Sequence, residues 1–568
     1  MLDISLVFCG SAGQGLQTIE YILTQLIKKA GYYTFATKEY MSRIHGGSNS
    51  SEIRISDHIV SAFVSRIDML ILLSTDTFPH LVDRVSPDTV IVGACHDLSS
   101  PNKKYMIDFE KIALEIGSKR YTNSVVMGFI LAFLKIEASF YEPFFTQYYG
   151  AKSKELAEKN IVAAQIGYKA GVAFLNTNSI SFYAKPSVDL NHKILLNGSE
   201  ALALGAIAGG CNFIAAYPMS PSTGVLTQLA SLSHEFDIVV EQAEDEIAAI
   251  NMGLGAWYAG GRALVTTSGG GFALMCESLS LSGMTETPMV INLAQRPGPA
   301  TGLPTRTEQG DLNLALFAGH GEFPRVILAP GTIDQAFSLM QKAFYLADKY
   351  QIPVIVLSDQ FFVDSYFVSQ PLDALSMAIY DQHIVKTDAT YQRYQLTADG
   401  ISPRGIPGFG DGLVCVDSDE HTEAGYITED FEVRTKMVQK RLKKFELLQT
   451  EIAVPDFFGK KDYKTLIVCW GSNYFVIKEA LDLLPHAEIG CLHFSQVYPL
   501  SREIIPYFTR AQKTIVIENN ATGQLAQLLK QQLNVHINAT LLKYNGLPFT
   551  VEEIVIALKK YTQDHENG

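Results

Sequence analysis

Short, nearly continuous apolar runs punctuate the whole chain: Ile4–Cys9, Ala263–Val265, Met289–Leu293, Val354–Leu357, Leu466–Cys469, Ile489–Phe494 and Thr514–Ile517. Runs of this kind predict strands buried on both faces. The stretches between them carry apolar residues at helical spacing. Strand and helix in alternation predict an α/β architecture with parallel sheets, because parallel neighbours need a crossover connection.

Three such units separate. Residues 1–180 form the first domain, which opens on strand Ile4–Cys9 and closes on a long helical stretch through Ala170. Turn-rich passages at Asn176–Ser179 and Lys185–Asp189 mark its end. Residues 190–367 form the second domain. A linker over 368–455 contains an irregular segment with Pro403, Pro407 and many Gly and Asp residues, then a charged helix near Thr435–Leu448. The third domain, 456–568, repeats strand–helix–strand.

Composition narrows the class without naming it. At 568 residues the chain exceeds one core. Its net charge of −14 excludes a nucleic-acid backbone as an expected partner. The most apolar run, Val125–Leu134, is far shorter than the roughly 20 residues of a membrane span. The opening Met1-Leu-Asp-Ile-Ser lacks the basic start of a signal peptide. A cytoplasmic protein is the expectation. Seven cysteines, with no Cys-x-x-Cys, are read as mostly strand-buried apolar residues in a reducing compartment, not as cluster ligands.

Candidate chemistry gathers in one stretch, Ala215–Gln309, where four unusual loops each follow an apolar run. Tyr217-Pro-Met-Ser220-Pro221 ends the first run, with Ser220 as helix N-cap and Pro221 at the first helical position. A substrate carboxylate would seek the same helix end. Glu241, Glu244, Asp245 and Glu246 crowd the next helix start, where acids also simply oppose the helix dipole. Thr266-Thr267-Ser268-Gly269-Gly270-Gly271 lets a backbone approach a bound ring or a packed helix closely. Arg296 ends the strand Met289–Leu293, where a guanidinium fork suits a carboxylate, and Arg306 follows on the same loop. In the first domain, Gly10-Ser-Ala-Gly13-Gln-Gly15 follows a strand and precedes a helix. It is either a ligand-free tight turn or an anion cradle. Its spacing is neither the dinucleotide pattern nor a P-loop.

Taken in order, the four loops resemble the pyrimidine-binding domain of thiamine diphosphate enzymes, and specifically the alpha subunit of the 2-oxoacid:ferredoxin oxidoreductases. The first domain resembles the gamma subunit of the same family, including Lys38-Glu39-Tyr40-Met-Ser42-Arg43-Ile-His45-Gly46-Gly47-Ser48. The last resembles a transketolase C-terminal domain, with Glu518-Asn519-Asn520-Ala-Thr522-Gly523-Gln524 as a family hallmark that serves as loop and helix cap at the subunit interface. Nearly the whole chain is covered. The resemblance implies a fused gamma–alpha subunit that needs thiamine diphosphate, shared with a partner, and coenzyme A as co-substrate. It implies a beta subunit bringing Mg²⁺, the diphosphate contacts and a 4Fe-4S cluster, an alpha2beta2 assembly, and ferredoxin as electron acceptor. The implied reaction is coenzyme A-dependent oxidative decarboxylation of a 2-oxoacid, 2-oxoglutarate to succinyl-CoA being the expected case.

Residue by residue, the family pattern sets a Glu before small residues with Gly nine positions on, which matches Glu246 and Gly255; Glu241 ranks second. Thiamine chemistry needs that carboxylate against N1′ of the aminopyrimidine, so that the 4′-nitrogen can take the C2 proton. Thr267, Ser268 and Gly269 become cofactor contacts. Ser220 stands where the family has Thr; with Tyr217, Arg296 and, second to it, Arg306, it becomes a substrate contact. Gly13 and Gly15 become coenzyme A phosphate contacts. Gly410-Asp411-Gly412 imitates the metal–diphosphate motif, but that motif continues to a later Asn, and Arg434–Leu448 contains none. Asp419-Glu420-His421-Thr-Glu423 reads as a solvated turn, so no metal is expected in this chain. Two rivals stay open: a component of a non-oxidative thiamine enzyme, and a non-catalytic coenzyme A-binding or scaffold subunit.

Overall fold

The structure, a computed structural model, describes residues 3–41, 47–96, 98, 102–178, 186–373 and 383–563. The stretch Ser42–Gly46 of the gamma-like motif and the passage 179–185 lie outside the described residues. The chain divides into two compact units. One comprises Met1–Leu196, Ser365–Pro371 and Thr550–Glu552; the other comprises Asn197–Asp364, Leu372–Phe549 and Glu553–Gly568.

The sheet of the first unit has eight strands in the order Lys104–Met106, Val90–Gly93, Met69–Leu72, Asp3–Ser11, Ser48–Ser56, Tyr33–Glu39, Tyr366–Ser369 and Ile194–Asn197. It is parallel from Lys104–Met106 to Asp3–Ser11, and antiparallel from there to Tyr366–Ser369. The antiparallel half arises because Tyr33–Glu39 and Ser48–Ser56 are joined by a short connection that leaves no room for a crossover helix. Helix Thr122–Phe133 is buried on nearly all faces, as its almost unbroken apolar sequence requires. It meets helix Lys154–Asn178 through Gly128 and Gly167, where a methyl group would strike the backbone of Ala164 and Val125.

The second unit holds two sheets. The seven-stranded one runs Gln496–Tyr498, Val326–Leu328, Pro353–Asp359, Met289–Gln295, Ala263–Thr267, Phe213–Ala216 and Val239–Gln242. All its pairs are parallel except the edge strand Gln496–Tyr498. The five-stranded sheet runs Asp456–Gly459, Ile489–Phe494, Thr465–Trp470, Lys513–Glu518 and Ala539–Leu542, with only Asp456–Gly459 antiparallel.

The charged helix starts earlier than its apolar pattern suggests, at Phe431, because Asp430 caps it by accepting from Glu432 N and Val433 N. It is anchored by charge. Lys440 and Lys444 both reach the buried carboxylate of Glu286 at 2.5 Å. Burial works against ionised Glu286, but Lys444 and Lys440 hold its carboxyl far below the usual range. Removing one partner of a buried ion pair strands the other and typically destabilises by about 3–5 kcal/mol. Glu286→Ala is therefore expected to lower the denaturation midpoint by about that equivalent. Glu155→Ala, which breaks the exposed pair with Lys159, should leave the midpoint unchanged. Equal midpoints for the two variants would remove the anchor.

Candidate active site

Because five strands from Val239–Gln242 to Pro353–Asp359 are mutually parallel, their carboxyl ends share one sheet edge. That edge is where open α/β sheets bind ligands. It carries Tyr217, the acidic cluster around Glu246, Thr267-Ser268 and Arg296, each at or just beyond the end of its strand. Four loops distant in sequence thus meet through topology.

The acidic cluster divides by burial. Glu241, Glu244 and Asp245 are exposed, whereas Glu246 is 4% exposed. Asp245 caps the helix Glu246–Tyr258 by accepting from Ala248 N at 2.7 Å. That leaves Glu246 with no capping duty. Its Oε1 is buried without a hydrogen-bond partner. A methyl group on Gly271 would lie 2.7 Å from that oxygen, so the carboxylate rests directly against the glycine loop. Thr267 and Ser268 are fully buried, and Ser268 Oγ is unpartnered too. Unsatisfied buried polar atoms carry a penalty of about 1–3 kcal/mol each, and the two at this glycine loop call for partners that the chain itself does not supply. An aminopyrimidine ring fits that donor set, since it offers a ring nitrogen to a carboxylate and needs glycine-sized clearance.

Arg296 is half-buried at the end of its strand. Its Nη1 donates to Ser220 O at 2.6 Å, while Nε is buried and unpartnered. Ser220 is not the helix N-cap. The Ser220–Pro221 peptide is cis, Ser222 N and Oγ both return to Met219 O (2.9 and 2.7 Å), and the helix begins at Thr223. Both Ser222 donors are thus spent within the turn, and the helix end that Ser220 was expected to open lies three residues on. Tyr217 is 41% exposed beside it, and Arg306 is half-buried on the following loop.

Two carboxyls near Arg296 were given no role from sequence. Asp311 stands directly before helix Leu312–Phe317 yet makes no side-chain cap, and its Oδ2 is buried and unpartnered. Burial pushes its carboxyl up to about 6 against the pull of Arg296. Glu308, three residues earlier, is pushed up to about 7 by burial and by Asp311. The available signal was an N-cap-like Asp directly after Gln-Gly, which by type alone reads as a cap.

The hallmark loop holds this carboxyl loop in place. Gln309 N donates to Asn519 O at 2.7 Å, Asn519 N returns to Gln309 Oε1 at 3.1 Å, and Gln524 brackets Gly310 O and Asn313 N at 2.8 Å each. Glu518, fully buried, caps helix Gln524–Leu533 through Leu525 N and Ala526 N. Inside the chain the hallmark loop fixes the loop that carries Glu308 and Asp311.

Other sequence signals resolve differently. His421 is fully buried and stacked on Tyr394 at 3.8 Å, and Glu420 pairs with Arg434 and Arg441. The Asp419–Glu423 segment is therefore a packed staple, not a solvated turn. Among the described residues no His/Cys/Asp/Glu group could hold a metal. Gly410 and Gly412 pack on the backbone of Thr387 and Asp388, which gives the Gly-Asp-Gly a structural role. Only Cys9, Cys469 and Cys491 lie inside strands; Cys276 is helical, and Cys95, Cys211 and Cys415 lie in connections. The expectation that most were in strands fails because a small thiol packs equally well beside a strand end.

In the first unit, Gly13 (φ 93°) and Gly15 (φ 74°) adopt the left-handed turn that glycine permits. They line a cavity of about 500 Å³ with His96, Lys119, Arg120 and Asn123. Asp108 and Glu110 line it as well. Among the described residues no helix is long and apolar enough to cross a membrane.

One sheet edge thus presents a buried carboxylate with an unpartnered oxygen, a glycine loop and an arginine. The family model described as pyruvate flavodoxin/ferredoxin oxidoreductase, thiamine diphosphate-binding, matches residues 204–440, and the pyruvate ferredoxin/flavodoxin oxidoreductase model matches residues 5–170. The 2-oxoacid:ferredoxin oxidoreductase subunit alpha of a Sulfolobus species is 32% identical over 100% of this chain and 98% of its own length. The 2-oxoglutarate synthase subunit KorA of Archaeoglobus fulgidus is 32% identical over 59% of this chain and 89% of its own. The fold matches the structure titled 2-oxoglutarate:ferredoxin oxidoreductase from Magnetococcus marinus with 2-oxoglutarate, coenzyme A and succinyl-CoA bound, with TM-score 0.91 and 28% identity, covering 99% of this chain and 100% of that one. The chain belongs to the 2-oxoacid:ferredoxin oxidoreductase family as an alpha subunit.

Proposed function

We propose that this chain carries the gamma-type domain (1–180), the aminopyrimidine side of a thiamine diphosphate site (190–367), a linker (368–455) and a transketolase C-terminal-like domain (456–568). Together with a beta subunit it oxidises 2-oxoglutarate to succinyl-CoA and passes two electrons to ferredoxin. The observation that carries the reading is Glu246, a buried carboxylate with an unpartnered oxygen against a glycine loop. Bound there, thiamine diphosphate supplies the electron sink for decarboxylation. Glu246 holds a proton at N1′, and Thr267, Ser268 and Gly269 form the ring's backing. Arg296 binds the substrate carboxylate with Ser220 beside it; Tyr217 and Arg306 complete the wall. Gly13 and Gly15 accept a coenzyme A phosphate in the cavity that Lys119 and Arg120 also line. The beta subunit brings Mg²⁺, the diphosphate contacts and a 4Fe-4S cluster, in an alpha2beta2 assembly. The names of the KorA relative and of the Magnetococcus marinus structure support 2-oxoglutarate over other acids.

The test is steady-state kinetics on the assembled enzyme with a viologen acceptor. Turnover should be faster with 2-oxoglutarate than with pyruvate. Arg296→Lys keeps the charge and loses the planar fork. A charge-assisted hydrogen bond is worth about 1.5–3 kcal/mol, so KM for the acid should rise about tenfold or more while KM for coenzyme A holds. An unchanged KM for the acid would move the carboxylate contact to Arg306.

A further inference from the structure

Three polar atoms near one another lack partners although they are buried: Arg296 Nε, Asp311 Oδ2 and Ser268 Oγ. Arg296 and Asp311 attract each other, yet no hydrogen bond joins them. A methyl group on Gly269 would lie 2.5 Å from Asp311 Oδ2, so the carboxyl is pressed onto the glycine loop of the cofactor site. Asp311 is anchored through its backbone instead, its N–H donating to Gln295 Oε1 at 3.0 Å. The Gln309–Asn519 and Gln524–Gly310 bonds lock the loop on either side. Asp311 is thus held firmly through its backbone while its carboxyl Oδ2 stays unpartnered, which leaves the carboxyl able to answer a change of charge at Arg296.

We propose that Asp311, seconded by Glu308, is a positioning residue of the substrate pocket that takes up a proton when an anionic 2-oxoacid binds Arg296. The inference rests on the assignment of Arg296 to the substrate carboxylate. The electrostatics run one way. With Asp311 ionised, Arg296 is already neutralised and an incoming carboxylate meets like charge. With Asp311 neutral, the full guanidinium charge is open to the substrate, and the carboxyl can donate a hydrogen bond. Substrate and ionised Asp311 therefore compete for one cation, and the proton, drawn from solvent, resolves the competition.

The surrounding groups leave these residues in control. Arg296 follows strand Met289–Gln295, the loop contributes Glu308, and helix Gly269–Leu274 presents the uncharged Gly269. Asp359 is engaged by Thr307, Ser472 and Phe362 N. Glu518 is engaged by Leu525 N, Ala526 N, Asn520 and Trp470. Glu246 stands against Gly271, at the other end of the same glycine loop.

The experiment is the pH dependence of KM and kcat for the 2-oxoacid in the assembled enzyme, from about pH 5.5 to about pH 8, for wild type, Asp311→Asn, Asp311→Glu and Glu308→Gln. The pair ionises as pH passes about 6 and about 7, so the wild-type KM for the acid should rise about tenfold, one unit of linkage, while KM for coenzyme A stays level. Asp311→Asn should flatten that rise to less than about twofold with a smaller effect on kcat, Asp311→Glu should restore it, and Glu308→Gln should remove its upper part. A wild-type KM that is flat over the range overturns the proposal without any variant, as does a wild-type rise that persists in a folded Asp311→Asn. Absence of any 2-oxoacid turnover by the wild type would instead overturn the functional reading on which the proposal stands.

Discussion

Glu246→Ala is expected to stop acyl-coenzyme A formation by the assembled enzyme, cutting turnover by about 10²–10⁴-fold, while the chain stays folded. The two halves of that expectation come from the same atoms. Glu246 Oε1 has no hydrogen-bond partner and Asp245 already caps the helix, so removing the carboxylate breaks no hydrogen bond of the fold. What the fold loses is a charge near a helix N-terminus, worth about 0.3–1 kcal/mol. What the site loses, on the proposed reading, is the group that holds a proton on the aminopyrimidine. Glu246→Gln keeps the shape and should abolish exchange of the thiamine C2 proton as well. Glu241→Ala, an exposed residue on the neighbouring strand, is the control and should leave turnover intact. Near-normal activity in Glu246→Ala, or a loss matched by Glu241→Ala, would remove Glu246 from the site.

The sequence made this edge legible because strand ends are cheap to read and topology does the rest. Once Ala263–Thr267 and Met289–Gln295 are strands in a parallel sheet, the residues after them must share an edge. What the sequence could not separate was the four acids before the helix Glu246–Tyr258. Periodicity treats them alike, and only burial against Gly271 sets one apart. Asp311 was missed for the opposite reason: its type and position describe a cap, and its failure to act as one is visible only in three dimensions. Ser220 reads as a cap on the same grounds, whereas the local turn through Ser222 and Met219 delays the helix to Thr223. The charged neighbours of His421 suggest a solvated turn, yet Glu420 pairs with Arg434 and Arg441 and the ring packs on Tyr394. Local patterns thus predict where a side chain starts, while long-range partners decide what it does.

Purified without a partner, this chain is expected to show no 2-oxoacid-dependent dye reduction and no brown iron–sulfur absorbance, and addition of the beta subunit should restore both together. On the proposed reading the chain offers only the aminopyrimidine side of a site, through Glu246, and its one Gly-Asp-Gly serves loop packing on Thr387 and Asp388. Its cysteines are dispersed over separate elements, with Cys469 and Cys491 facing each other at 3.8 Å inside a sheet. A 4Fe-4S cluster needs four thiolates around one point, and these do not supply them. The exposed side chains of Tyr217, Ile247, Leu274 and Leu303 on the elements that carry the site are apolar surface suited to a partner. A cofactor held between two chains implies an obligate contact, which commonly buries more than about 2,000 Å². The isolated subunit should therefore gain thermal stability on mixing as well as activity, because a partner that binds only the folded state stabilises it by mass action. Robust dye reduction by the isolated polypeptide would sink the two-subunit site, and restored stability without restored activity would keep the interface while rejecting the shared cofactor.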